Sequence, residues 1–117
     1  MFDSSLFLEI ANKILSDQGF RNEGGWRTAI GRAYYAAFLA TKRKLEDLGS
    51  NFVDVDRIHH EVIQELMRKN TDLGNRLDTL REKRVDADYD MSASIPPSLG
   101  QKCAKLSEGI ISSVKRL

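Results

Sequence analysis

Trp26-Arg27-Thr28-Ala29-Ile30-Gly31-Arg32-Ala33-Tyr34-Tyr35-Ala36-Ala37-Phe38-Leu39-Ala40 opens the most apolar part of the chain, which runs from Trp26 to Leu48. On a helix, Ala29, Ile30, Ala33, Tyr34, Ala36, Ala37, Phe38, Leu39 and Ala40 cover nearly the whole circumference. A helix apolar almost all round has no solvent side and belongs at the centre of a bundle. Its alanines admit neighbouring helices closely. The exception is the stripe Thr28, Arg32, Tyr35 and Leu39, which sets a guanidinium beside a tyrosine hydroxyl on an otherwise buried helix. Both groups need hydrogen-bond partners there. In the plainer reading Tyr35 is core and Arg32 snorkels to the rim.

Gly49-Ser50-Asn51 stops this helix. Asp54 or Asp56 is placed to cap the next, which carries Val55, Ile58, Val62, Ile63, Leu66 and Met67. His59 falls on that apolar face and His60 to its side. A histidine among aliphatic residues is ordinarily a core residue with one satisfied nitrogen. Adjacent histidines point about 100° apart on a helix, so the two do not form a metal-binding pair.

Asn70-Thr71-Asp72 caps a further helix, Leu73 to Tyr89, in which Leu73, Leu77 and Leu80 recur at helical spacing. The same stripe continues into Arg84 and Asp88 rather than into apolar residues. Charges at core-side positions are costly unless paired. They serve either a cleft or interface, or a structural (i, i+4) pair at the bundle edge. Pro96 and Pro97 interrupt the chain, and Ser98 caps a last helix with Leu99, Cys103, Leu106, Ile110, Val114 and Leu117. At the other end, Ser4 or Ser5 caps a first helix with Phe7, Ile10, Ala11, Ile14 and Leu15, ending near Asp17-Gln18-Gly19. The polar connection Arg21-Asn22-Glu23-Gly24-Gly25 follows it. No repeat and no strand-like alternation appears. The pattern predicts an all-α, antiparallel up-and-down bundle of four to five helices, with residues 1–117 forming one domain.

Composition narrows function mainly by exclusion. At 41% hydrophobic and 30% charged, with a formal net charge of +1, bulk charge does not announce a nucleic-acid binder. Local basic runs, Lys42-Arg43-Lys44 and Lys115-Arg116, are more simply solvated helix ends. The single cysteine, Cys103, allows no intramolecular disulfide and no cysteine-based zinc site, which fits a reducing, cytoplasmic setting. Met1-Phe2-Asp3-Ser4-Ser5 has neither a basic leader nor a long apolar run, so no signal peptide or membrane span is expected. There is no P-loop, dinucleotide fingerprint, nucleophile elbow or metal-spaced ligand set, and hence no expected cofactor or metal. What remains is a polar set on three helices: Arg32 and Tyr35; His59 or His60; and Arg84, Asp88 and Tyr89. If those helices adjoin, the arginines offer donor forks for a phosphate and the tyrosines a face for a base.

Three motifs in this order, Arg32-Ala33-Tyr34-Tyr35-Ala36-Ala37-Phe38, the histidine followed by Val62 and Leu66, and Leu80-Arg81-Glu82-Lys83-Arg84-Val85-Asp86-Ala87-Asp88-Tyr89, resemble the HEPN domain family. The likeness is to its small stand-alone prokaryotic members and spans roughly Ala11 to the C-terminus. It implies an all-α bundle, a homodimer, and a nucleotidyltransferase partner in toxin-antitoxin-like or defence modules. Many members are metal-independent ribonucleases with an Arg-x(4 to 6)-His motif, the arginine holding phosphate and the histidine moving a proton. This chain departs there, because Arg84 is followed by no histidine and the only two, His59 and His60, precede it. The resemblance therefore implies nucleotide or RNA binding through Arg32, Tyr35, Arg84, Asp88 and Tyr89. A ribonuclease using Arg84 with His59 or His60 is the rival, and a pure interaction scaffold the second rival. Either histidine can be aligned with the family position.

Overall fold

The computed structural model describes residues 1–117, and all its regular structure is helical. The helices are α1 (Ser5–Ser16), α2 (Glu23–Asp47), α3 (Ile58–Lys69), α4 (Thr71–Tyr89) and α5 (Pro97–Val114). As its apolar circumference requires, α2 touches all four others. Around it α1, α5, α4 and α3 follow in that order, each packed on the next, while α1 and α3 do not meet. The ring is thus open along one side of α2.

That opening explains the polar stripe. Ala29, Ile30, Ala33, Tyr34, Ala36 and Ala37 are fully buried under the ring, while Arg32, Tyr35 and Leu39 are half-buried and Thr28 is exposed. Leu66, Leu77, Leu80, Ile110 and Val114 close the core from α3, α4 and α5. The Ser107 hydroxyl donates to the Ala33 carbonyl at 2.6 Å, so the hydroxyl that α5 buries against α2 is satisfied. Cys103 is buried and its thiol is pushed up to about 11 by that burial, which leaves it an inert packing residue. No helix is long and apolar enough to cross a membrane.

Several boundaries differ from the sequence expectation, each for a capping reason. The Asn22 side chain accepts the Gly25 N–H at 2.9 Å, so the polar connection before Trp26 is the cap and first turn of α2. Asp54 caps a single 3-10 turn, Val55–Arg57, and α3 begins only at Ile58; Val55 is 82% exposed instead of lying on the apolar face. Pro96, not Ser98, is the cap of α5, with Pro97 as its first residue, where the missing N–H costs nothing. Ser4 sits at the cap of α1 without capping it; its hydroxyl donates to the Ala36 carbonyl of α2 at 3.4 Å. Ile10 is 45% exposed, because α1 packs on α2 and α5 through the neighbouring stripe that includes Ala11.

The α4–α5 connection is held by a device absent from the sequence reading. Arg27, in the second turn of α2, donates from Nη1 to the carbonyls of Asp86 (3.3 Å) and Ala87 (3.0 Å). Its Nη2 donates to those of Asp90 (2.9 Å) and Ala93 (2.8 Å). Glu23 takes Arg27 Nη2 at 3.0 Å and the Ile95 N–H at 3.1 Å on the same oxygen. The C-terminal turn of α4, which carries Asp88 and Tyr89, is thereby fixed to the start of α2.

Candidate functional site

Facing residues of α2, α3 and α4 bring together part of the expected set. His59, in the first turn of α3, stacks on Phe38 with ring centroids 4.3 Å apart and lies within 5.6 Å of Tyr34 and 5.9 Å of Tyr35. The Tyr34 hydroxyl and His59 Nδ1 are 2.6 Å apart. Burial, the largest influence, raises the Tyr34 pKa and keeps the phenol protonated, so we assign the phenol as donor and Nδ1 as acceptor. That assignment puts the imidazole proton on Nε2, which has no partner within the chain and is not sealed from solvent. Burial, then Arg84 and Arg81, hold the His59 pKa below its ordinary value, which keeps the ring neutral.

Arg84 is 14% exposed at the side chain and Asp88 is 34% exposed. Arg84 Nη2 donates to the Tyr35 hydroxyl at 3.1 Å, and Nε lies 2.8 Å from Asp88 Oδ2. This last contact is an ion pair rather than an aligned hydrogen bond, since the carboxylate sits off the N–H direction. The guanidinium carbon lies 5.1 Å, 5.8 Å and 5.9 Å from the ring centroids of Tyr35, Tyr34 and Tyr89. Arg32 also approaches Tyr35, 5.3 Å from its ring centroid and 4.8 Å from that of Phe7 in α1. Two cations therefore lie within cation–π distance of Tyr35. Tyr89, 71% exposed, borders the same group at the end of α4.

His60 goes elsewhere. It is exposed and lines a groove of about 650 Å³ between α3 and the loop after α2, with Asn51, Arg57, Glu61, Gln64 and Arg68 among its neighbours. Of the two histidines, only His59 joins the arginines. Sequence reasoning passed over Arg81, whose charge reaches both Tyr34 and His59. It also took Tyr34 as core alone. The signal for Arg81 was its place three residues before Arg84 on one helix; no local signal pairs Tyr34 with a histidine 25 residues away.

The depressed His59 pKa makes stability depend on pH. Because the folded value lies below the ordinary 6.5, the unfolded chain takes up its proton first as pH falls. The stability from neutral His59 is complete above the unfolded value and is lost as pH falls through the folded one. Urea unfolding at about pH 7.5 and about pH 5.5 should show a drop that shrinks in His59→Gln. An identical drop in the variant would assign the effect to other groups.

No family model matches the chain. A protein of Methanocaldococcus jannaschii described only as uncharacterized is 30% identical over 114 aligned residues, covering 81% of this chain and 64% of that protein. The chain thus spans just under two thirds of the length of the curated relative it matches. No solved structure matches it.

Proposed function

We propose that this chain is a HEPN-type bundle whose α2–α3–α4 face binds the phosphate of a nucleotide or of RNA, within a toxin-antitoxin-like or defence module. The observation that carries the reading is the grouping of Arg81 and Arg84 with neutral His59 and the two tyrosines, with Asp88 as the one carboxylate in ion-pair contact with either arginine. Guanidinium forks suit phosphate oxygens, and exposed Tyr89 offers an aromatic face beside them for a base. The test is anisotropy titration of labelled single-stranded RNA and of ATP at two salt concentrations. The double variant Arg81→Ala, Arg84→Ala should lose at least about 1.5 to 3 kcal/mol of binding. Salt-independent binding, or binding unaffected by the double variant, would sink the proposal.

A metal-independent ribonuclease is the second reading, favoured by His59, whose Nε2 has no partner and whose ring the charges of Arg84 and Arg81 reach. In it His59 replaces the histidine that the Arg-x(4 to 6)-His pattern would place after Arg84. Cleavage of RNA in chelator that is lost in His59→Ala and kept in His60→Ala would promote this reading over simple binding.

The proposal includes a two-fold homodimer and a nucleotidyltransferase as protein partner. The uncovered side of α2, the exposed Tyr89 at the end of α4 and Met91 just beyond it support a protein contact there. Sedimentation at micromolar concentration should give a dimer, and a clean monomer would remove this part of the proposal.

A further inference from the structure

Arg84 stands in the motif position, yet its guanidinium is largely committed. Nη2 is given to Tyr35, Nε touches Asp88, and the guanidinium carbon lies within 5.9 Å of three tyrosine ring centroids. Arg81, one turn earlier on α4, has no such commitments. Its Nε is sealed from solvent without an acceptor, and the residue donates no hydrogen bond and forms no ion pair within the chain. Asp78, three residues before it, stays outside ion-pair distance. The two Nη groups of Arg81 also lack partners but stay open to solvent, so an anion with paired oxygens can meet them without displacing an internal acceptor.

We infer that Arg81, rather than Arg84, makes the principal phosphate contact of this face, with His59 Nε2–H as a second donor and Arg84 as the positioning residue that holds Tyr35. The inference rests on the proposed phosphate-binding reading and divides the labour within it. Tyr34 contributes by accounting for Nδ1, which leaves Nε2 as the nitrogen that carries a proton toward a ligand. The same chemistry suits a terminal phosphate or a bridging diester.

The experiment titrates wild type, Arg81→Ala, Arg81→Lys and Arg84→Ala with inorganic pyrophosphate and, separately, with a single-stranded RNA lacking terminal phosphates; it also records Tm for each protein alone. Arg81→Ala should weaken binding at least about tenfold, with Tm unchanged or raised, because no intramolecular partner is lost. Arg81→Lys, a point charge without the fork, should not restore it, and serves as the folded comparison should the alanine variant fail to fold. Arg84→Ala should lower Tm as well as affinity, since Tyr35 and Asp88 lose their partner. Response to pyrophosphate alone indicates a terminal phosphate ligand, and response to the RNA indicates a diester. Wild-type affinity in both Arg81 variants, with loss only in Arg84→Ala, overturns the inference and leaves the phosphate reading standing. Failure of wild type to bind either probe removes both.

Discussion

Arg27→Ala should lower the unfolding free energy by about 3 kcal/mol, one of the largest losses expected from a single polar change in this fold. The last carbonyls of a helix have no partners of their own, and a cation near them complements the helix dipole. The last turn of α4 contains no basic residue, and Arg27 supplies one from α2. One planar head group also serves the Asp90 and Ala93 carbonyls beyond the helix, an arrangement that needs the two separate arms of a guanidinium. Of the four carbonyls, those of Asp86 and Asp90 are exposed and can turn to water when Arg27 is removed, whereas those of Ala87 and Ala93 are part-buried and lose their partner; Glu23 at 44% exposed can resolvate. The loss therefore comes mainly from the carbonyls and not from the broken ion pair. Arg27→Lys, reaching the same region with a single ammonium, should recover less than half of it. Urea unfolding of the two variants decides the matter, and a loss below about 1 kcal/mol in the alanine variant would show that the clamp is incidental.

How much of this could be read from the residues differs with the kind of interaction. The central place of α2 was legible because an all-round apolar helix has one destination, and the Arg32–Tyr35 stripe marked the side that the other helices leave open. Arg84 and Asp88 were legible as a pair because (i, i+4) spacing is local. Arg27 was not, because its acceptors are backbone carbonyls 59 to 66 residues away, and carbonyls carry no signature in a sequence. The choice between His59 and His60 was open for a related reason: helical phase alone separates them, and only the position of α3 against α2 brings one of them to Tyr34. Cap positions moved by a few residues, as at Asn22 and Pro96, since several residues near each helix start have the chemistry to cap it.

Gly74→Ala should destabilise the fold by about 3 kcal/mol, at the upper end of what one added methyl does in a packed interior. α3 and α4 are joined by the single residue Asn70, whose side chain accepts the Leu73 N–H at 3.0 Å, so the two helices cross closely at the start of α4. A methyl on Gly74 would stand 2.7 Å from the Met67 Cα and 2.8 Å from its backbone nitrogen. A side chain could swing away; the backbone of α3 cannot without moving the helix. Gly109, in α5, provides the control: nothing lies within 4 Å of a methyl built there. Gly109→Ala should therefore stabilise by about 0.5 to 1 kcal/mol through helix propensity alone. The contrast also bears on the site, because α3 carries His59 and α4 carries Arg81 and Arg84. Prising the hairpin apart at Gly74 should let the His59 pKa drift back toward its ordinary value, which a histidine NMR titration can follow in the folded protein. Equal stability changes in the two glycine variants would mean that the close α3–α4 crossing does not hold this site together.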